Sequence, residues 1–239
     1  MSSQKSISIV KEERRAAKIR LVSANSCFHV EKKNIFCNMN LRTLTVFIAT
    51  CHFARGYKMM LFDFTNAQSV DDWREVSDTV RTVGKSKAVL TLQTSQLFQR
   101  AVFFTLLNPQ PNGACFAGVR KATNLDLSTF KNIDIVCRGQ GENSHYKICL
   151  RHRGQNSNQD LSYEQFFTVS MLNEEFSNVT LPLKDFKPYY RGREIPDAES
   201  LDTAAITMFE FQIYGGVYDP FLKQHGVSAL EIETVAVSS

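Results

Sequence analysis

From Met59 onward the chain alternates short apolar runs with clusters of turn residues, and this pattern restricts its fold more than any other feature. Separators such as Asn108–Gly113 are rich in Pro, Gly and Asn, and no long stretch shows the periodicity of an amphipathic helix. The pattern predicts strands at Met60–Phe64, Ala88–Leu92, Phe98–Leu107, Cys115–Val119, Ile133–Cys137, Tyr146–His152, Gln165–Val169, Val179–Leu183, Ile206–Tyr214 and Ala229–Val237.

Alternation within these runs shows which side chains enter the core. In the run that ends at Tyr214, the residues Phe209, Phe211 and Ile213 share one face and are assigned inward. Trp73 is predicted to be a core residue, and the segment before it, residues 66–73, is expected to hold one helical turn. With no βαβ alternation and no Pro/Gly/Ser linker, residues 59–239 are predicted to form one all-β domain, a two-sheet jelly-roll β-sandwich.

The net charge of +4 is the sum of two unequal parts. Residues 1–58 hold 11 Lys/Arg and 3 Asp/Glu, net +8, and the remaining residues hold 17 and 21, net −4. Because the predicted sandwich is slightly acidic, it offers no broad basic surface, and a nucleic-acid partner is not expected.

The basic segment, residues 1–58, is predicted to be a disordered or weakly helical leader. Its scarcity of acids favours a mitochondrial transit peptide. An alternative start at Met39 would make Leu44–Cys51 the apolar core of a secretory signal peptide. A third alternative is an extension that carries no targeting signal. The apolar run is far below the ~20 residues that span a bilayer, and we expect no transmembrane span in the body.

Three of the six cysteines lie in the body, and their pairing is left open. Cys137 and Cys149 sit in strand-like stretches and would either face one another in a disulfide or be separate buried thiols. Asn178 begins the sequence Asn-Val-Thr, which is a glycosylation site if the protein is exported.

Motifs for catalysis or metal binding are missing from the body, residues 59–239. It has no H-x-E, H-E-x-x-H, C-x-x-C, G-x-S-x-G or P-loop spacing, so we expect no enzyme, no metal and no cofactor. Strand alternation places Cys149 and His152 on opposite faces, which is wrong for a Cys–His dyad. Glu164 and Glu210 are the best of the weak candidates for a catalytic carboxylate pair of the glycosidase type. Both are assigned instead to solvent-facing strand positions.

Aromatic and basic side chains occur together in two places, which is typical of binding surfaces. The residues predicted to bind a partner or ligand are Arg138, Tyr146, Arg151, Arg153, Tyr189, Tyr190, Arg191 and Arg193. The alternative is a loop whose tyrosines cover a sheet edge while its arginines pair with Asp185, Glu194 or Asp197.

An ordered set of short motifs in the body resembles the complex I intermediate-associated protein 30 family. The motifs span about residues 60–237 and are Leu61-Phe62-Asp63-Phe64, Trp73, Ser77-Asp78-Thr79-Val80 with Gly84 and Ser86, Phe116-Ala117-Gly118-Val119-Arg120, Leu125–Phe130, Ile135–Gly141, Leu181–Phe186, Arg191-Gly192-Arg193 and Leu201–Thr207. The sequence departs from the family in one turn, because Asp78-Thr79-Val80 is followed by Arg81 and not by Met-Gly-Gly.

This resemblance implies a galactose-binding-like β-sandwich related to carbohydrate-binding modules. It also implies a non-catalytic assembly factor or chaperone that binds subunits or intermediates of NADH:ubiquinone oxidoreductase in mitochondria. The alternative function is a secreted β-sandwich that binds carbohydrate or protein.

Overall fold

The computed structural model describes residues 57–170, 174–219 and 221–239, in which the chain forms thirteen strands and three single 3₁₀ turns. The predicted leader, its transit or signal peptide and the alternative start at Met39 lie outside the described residues, apart from Tyr57 and Lys58. The strands are β1 Lys58–Asp63, β2 Arg74–Ser77, β3 Lys87–Thr94, β4 Gln99–Leu107, β5 Phe116–Leu125, β6 Asn132–Gly141, β7 His145–His152, β8 Ser162–Thr168, β9 Ser177–Pro182, β10 Lys187–Tyr190, β11 Arg193–Glu194, β12 Ile206–Tyr214 and β13 Gly226–Ser238.

The strands form two antiparallel sheets, which confirms the prediction of an all-β two-sheet sandwich. Sheet 1 has the order β3-β4-β13-β6-β9, with β1 pairing to the far end of β13 beyond β4. Sheet 2 has the order β11-β10-β8-β7-β12-β5-β2. No described helix is long and apolar enough to cross a membrane.

One apolar core lies between the sheets. The inward set predicted for β12, Phe209, Phe211 and Ile213, is buried there and packs with the inward residues of sheet 1 such as Leu230 and Ile232. Burying aromatic and aliphatic side chains at about 25 cal/mol per Å² of apolar surface is the main force that holds the sheets together.

Trp73 is a core residue, as predicted. Its ring lies 5.1 Å from Phe62 and 5.5 Å from Phe211, measured between ring centroids. The expectation of a helical turn in residues 66–73 is wrong, because the backbone there forms only non-helical turns and bends. The hydroxyl of Ser69 accepts a hydrogen bond from the Asp71 N–H, so it caps a turn of another kind.

The two body cysteines considered for a disulfide belong to different sheets. Cys137 on β6 points into the core, whereas Cys149 on β7 lies on the outer face of sheet 2, and both are free and buried. A Cys137–Cys149 disulfide is therefore excluded by the geometry. Cys149 and His152 do lie on opposite faces of β7, as the alternation predicted.

A compact turn carries the chain from β2 in sheet 2 to β3 in sheet 1. The Asp78 carboxylate accepts hydrogen bonds from both the backbone N–H and the hydroxyl of Ser86, at 2.9 and 2.8 Å. Gly84 packs so closely that a Cβ built on it would lie 2.0 Å from the Asp78 carbonyl oxygen. The turn thus forms with one glycine where the family pattern has Met-Gly-Gly.

Candidate functional site

The outer face of sheet 2, turned away from the core, carries an unusual set of polar side chains. On β12 the core takes Phe209, Phe211 and Ile213, so the alternate residues Glu210 and Gln212 point outward. The same alternation places every second side chain of β7 and β8 on this face. The outward residues of the three strands are Met208, Glu210, Gln212, Lys147, Cys149, Arg151, Ser162, Glu164 and Phe166.

Two buried ion pairs form the floor of this face. Lys147 Nζ lies 2.5 Å from a carboxylate oxygen of Glu164, and an Arg151 guanidinium nitrogen lies 3.5 Å from Glu210. All four side chains are less than a tenth exposed. The prediction that Glu164 and Glu210 face solvent is therefore wrong, although both do point away from the core.

Neighbouring side chains complete the hydrogen bonding of the two carboxylates. The Ser162 hydroxyl donates to Glu164 at 2.7 Å, and the Gln212 amide donates to Glu210 at 2.5 Å. Since a buried charge is costly unless it is paired and hydrogen-bonded, these bonds make the floor a neutral, rigid surface.

An aromatic strip covers the Lys147–Glu164 pair. The rings of Phe166 and Tyr214 lie 5.6 and 5.7 Å from Lys147 Nζ, and they contact each other edge to face at 5.2 Å. Tyr189 on β10 extends the strip, with its ring 5.6 Å from Phe166. Phe166 is 41% exposed, so the strip shields the ion pair and also presents apolar surface to solvent.

Burial changes the acidity of several groups on this face. It raises the pKa of the Glu210 carboxyl, although the Arg151 and Lys147 cations oppose that change. Burial by itself would lower the pKa of Lys147, but the neighbouring acidic groups, Glu164 foremost, and the hydrogen bond to Glu164 together outweigh burial and raise the pKa. Burial also raises the pKa of Cys149 well above its usual value, so this thiol is not a reactive thiolate.

Arg151 and Tyr189 are the two predicted binding residues that lie on this face. Arg151 sits beside Met208, whose sulfur lies 3.3 Å from its guanidinium, and its Nε is buried without a partner. On the next strand Arg120 donates to the Asn158 side chain at 2.7 Å, which ties the β7–β8 loop to β5.

Arg138 and Tyr146 lie elsewhere. Arg138 is on β6 in sheet 1, where it binds the Glu231 carboxylate at 2.8 Å. Tyr146 is 1% exposed and packs between the sheets, with its hydroxyl donating to the Asn143 carbonyl. Tyr146 is therefore a core residue and does not belong to a binding surface.

The remaining predicted residues lie in or beside two turns of sheet 2, one in the β7–β8 loop and one in the β10–β11 hairpin. Arg153 follows β7 and binds the carboxylates of Glu199 and Asp202, each at 2.7 Å. Tyr190, Arg191 and Arg193 form the β10–β11 turn, next to the strip through Tyr189. Asn178 is exposed on β9, an edge strand of sheet 1.

Sequence reasoning missed Lys147, Phe166, Gln212 and Tyr214 as members of this surface. Their shared signal is alternation with residues already assigned to the core, which puts them on the opposite face. Among the described residues, no group of three His, Cys, Asp or Glu side chains is placed to hold a metal ion.

The sequence model described as Complex I intermediate-associated protein 30 matches residues 62–232, which is most of the described part of the chain. The chain belongs to this family. Sheet 2 lies entirely within the family match, which also covers sheet 1 apart from most of β1 and the end of β13, so the surface described above is part of the family domain.

A curated relative of this family member also matches. The uncharacterized protein C9E9.15 of Schizosaccharomyces pombe is 29% identical over 166 residues, which cover 65% of this chain and 74% of the relative.

Two solved structures similar to this family member are carbohydrate-binding modules. A family 11 module from Clostridium thermocellum, in complex with a beta-1,3-1,4-mixed-linked tetrasaccharide, has 13% identity and a TM-score of 0.55, covering 76% of this chain and 95% of the module. The family 11 module of the cellulosomal cellulase Lic26A-Cel5E of that organism has 11% identity and a TM-score of 0.54, with 76% and 94% covered. At such low identity these likenesses show the fold alone, a galactose-binding-like β-sandwich.

Proposed function

We propose that this protein is a non-catalytic assembly factor of mitochondrial NADH:ubiquinone oxidoreductase, complex I, and that it binds subunits or intermediates as a chaperone. Membership in the complex I intermediate-associated protein 30 family carries the proposal. The excess of positive charge in residues 1–58 supports a mitochondrial location.

The outer face of sheet 2 is the surface we assign to the partner. Its floor of paired charges is rigid, and the strip of Phe166, Tyr189 and Tyr214 offers the large, pre-ordered aromatic groups that dominate binding energy at interfaces. In this mechanism the strip covers apolar surface of an immature subunit until the next subunit replaces it.

The state of the two carboxylates supports a role without catalysis. Glu164 and Glu210 are each paired with a cation and hydrogen-bonded to a neighbour, so neither is free to act as a general acid or base. The elevated pKa of the Cys149 thiol likewise opposes nucleophilic chemistry on this face.

A depletion and rescue experiment tests the proposal. Cells depleted of the protein are expected to accumulate complex I intermediates on native gels, and the wild-type chain should restore the mature complex. The variant Phe166→Ala/Tyr189→Ala should fold but fail to rescue, because it removes the exposed aromatic strip.

Phe104→Ala provides the matched control. Phe104 is 46% exposed, close to the value for Phe166, but it lies on β4 in sheet 1. The control should rescue fully. Normal complex I in depleted cells would refute the role in assembly, and rescue by the strip variant would refute the assigned surface.

A secreted module that binds carbohydrate or protein is the second candidate. The fold shared with carbohydrate-binding modules, the aromatic strip and the exposed Asn178 favour it. A tagged protein found in the medium, with a mature N-terminus near Tyr57 and loss of glycan binding in Tyr189→Ala, would support this candidate over the first.

A further inference from the structure

Two turns of sheet 2, one at the start of the β7–β8 loop and one in the β10–β11 hairpin, share an unusual backbone. In each, an arginine followed by glycine has positive φ at both residues: 52° and 80° at Arg153 and Gly154, and 50° and 78° at Arg191 and Gly192. Asn-Gly or Gly-Gly suits such turns, because a long side chain in the left-handed region is strained. Each arginine therefore occupies its turn at a conformational cost.

Among the described residues, ion pairs offset this cost in one turn only. Arg153 binds two carboxylates at 2.7 Å, which explains why a guanidinium is useful at that position. Within the described part of the chain, Arg191 has no hydrogen bond or ion pair, and its guanidinium carbon lies 5.2 Å from the Tyr190 ring. Strain that is not offset within a protein points to a ligand outside it.

A loop with exposed aromatic groups lies against the turn that holds this unpaired arginine. The ring of Tyr218, in the loop before β13, comes within 3.2 Å of a Cβ built on Gly192, and the Arg193 guanidinium carbon lies 5.2 Å from its centroid. Tyr218 is 58% exposed, and Phe221 in the same loop is 96% exposed. We call Arg191, Arg193, Tyr218 and Phe221 the tip.

The loop that presents these aromatics is braced from within. The Asp219 carboxylate accepts hydrogen bonds from the N–H groups of Phe221 and Leu222, at 2.8 and 3.2 Å. Lys223 Nζ donates to the carbonyl oxygens of Gly216 and Asp219. Asp219 and Lys223 thus serve the loop itself, while neither tip arginine has a carboxylate partner among the described residues.

We propose that the tip binds the surface of an anionic lipid bilayer. Aromatic rings prefer the interface between headgroups and acyl chains, and arginines beside them pair with anionic headgroups. A protein pocket would require a concave complement for a side chain as isolated as Phe221, whereas a bilayer accepts a protruding ring without one. The inference is independent of the proposed assembly role.

Vesicle co-sedimentation of the full chain tests the proposal. We expect binding to vesicles of equal parts phosphatidylcholine and phosphatidylserine, and much weaker binding to phosphatidylcholine alone. Arg191→Gln and Arg193→Gln should each weaken binding to the anionic vesicles about fivefold, and Phe221→Ser about tenfold. The charge of residues 1–58 is the same in every variant, and Phe221→Ser leaves the charge unchanged.

Two matched controls separate the tip from general surface effects. Leu97 is 94% exposed in the β3–β4 turn, and Arg81 is exposed in the turn between β2 and β3. Leu97→Ser and Arg81→Gln should bind like the wild type. Equal losses in tip and control variants, wild-type affinity in the tip variants, or no binding to anionic vesicles would each overturn the proposal.

Two further variants test the insertion of Phe221 and the backbone strain at Arg191 directly. Phe221→Trp adds an exposed indole to a chain whose one tryptophan is buried, and its emission should shift to the blue on anionic vesicles. Arg191→Asn should raise the melting temperature, since Asn suits this turn, while it weakens vesicle binding. A lower melting temperature for Arg191→Asn would contradict the strain on which the inference rests.

Discussion

His152 shows how far burial controls a single side chain in this protein. Its ring is fully buried, its Nδ1 accepts a 2.7 Å hydrogen bond from the Asp202 N–H, and its Nε2 lies 3.3 Å from the Tyr163 hydroxyl. Burial lowers the pKa of His152, and the Arg153 cation lowers it further against the opposing pull of Glu199 and Asp202. The folded state therefore holds a neutral imidazole.

This lowered pKa predicts a loss of stability in mild acid. Unfolded His152 takes up a proton near pH ~6.5, whereas the folded ring does so only at lower pH. Its contribution to stability is complete above about pH 6.5 and is lost as pH falls toward the folded pKa. Unfolding free energies from urea titrations at several pH values should fall less steeply for His152→Gln than for the wild type. His225→Gln, at an exposed position, should keep the wild-type slope.

The Lys147–Glu164 pair predicts strong coupling between two side chains. Lys147→Met leaves a buried carboxylate without its cation, and Glu164→Leu leaves a buried ammonium alone, so each should cost about 3–5 kcal/mol of unfolding free energy. The double variant should lose much less than the sum of the two. Urea denaturation of all four proteins measures this, and additive losses would show that the pair is not coupled.

Sequence reasoning placed Glu164 and Glu210 on the outward side of their strands but misjudged their surroundings. Alternation gives the side of a strand to which Glu210 points, since each side chain points opposite to its neighbour. It does not give burial, which here depends on partners brought from β7 and β8 and on the aromatic strip above them. Those contacts join residues far apart in the chain, so no local pattern contains them.

At the scale of elements, the ten predicted runs all correspond to strands of the structure. The three strands that were not predicted, β2, β10 and β11, are short, and all lie toward the edges of sheet 2. A strand such as Lys187–Tyr190 contains a proline and has too few residues for alternation to be read. Edge strands owe their form to their neighbours more than to their own sequence.

The turn between β2 and β3 predicts an intolerant glycine. Gly84→Ala would place a Cβ within 2.0 Å of the Asp78 carbonyl oxygen, a backbone atom that cannot move aside cheaply. We expect a loss of about 2–4 kcal/mol in unfolding free energy. Gly113→Ala is the control: it has positive φ but no heavy atom within 4 Å, so strain alone should cost about 1 kcal/mol. Equal losses would show that the clash is not decisive.

At the scale of the whole molecule, the single core predicts a single unfolding transition. Trp73 contacts Phe62 of sheet 1 and both Phe209 and Phe211 of sheet 2, so its fluorescence reports the separation of the sheets. Far-UV circular dichroism reports the strands themselves. The two signals should change together in urea, and separated midpoints would show that one sheet survives without the other.

The position of β13 has a consequence for when this protein acquires its shape. β13 is the hub of sheet 1, pairing with β4, β6 and β1, and its residues are the last of the described strands to leave the ribosome. Until they emerge, β1 has no strand to pair with and the inner surface of sheet 2 has no complete partner. We therefore expect the two-sheet core to close only after β13 has left the ribosome.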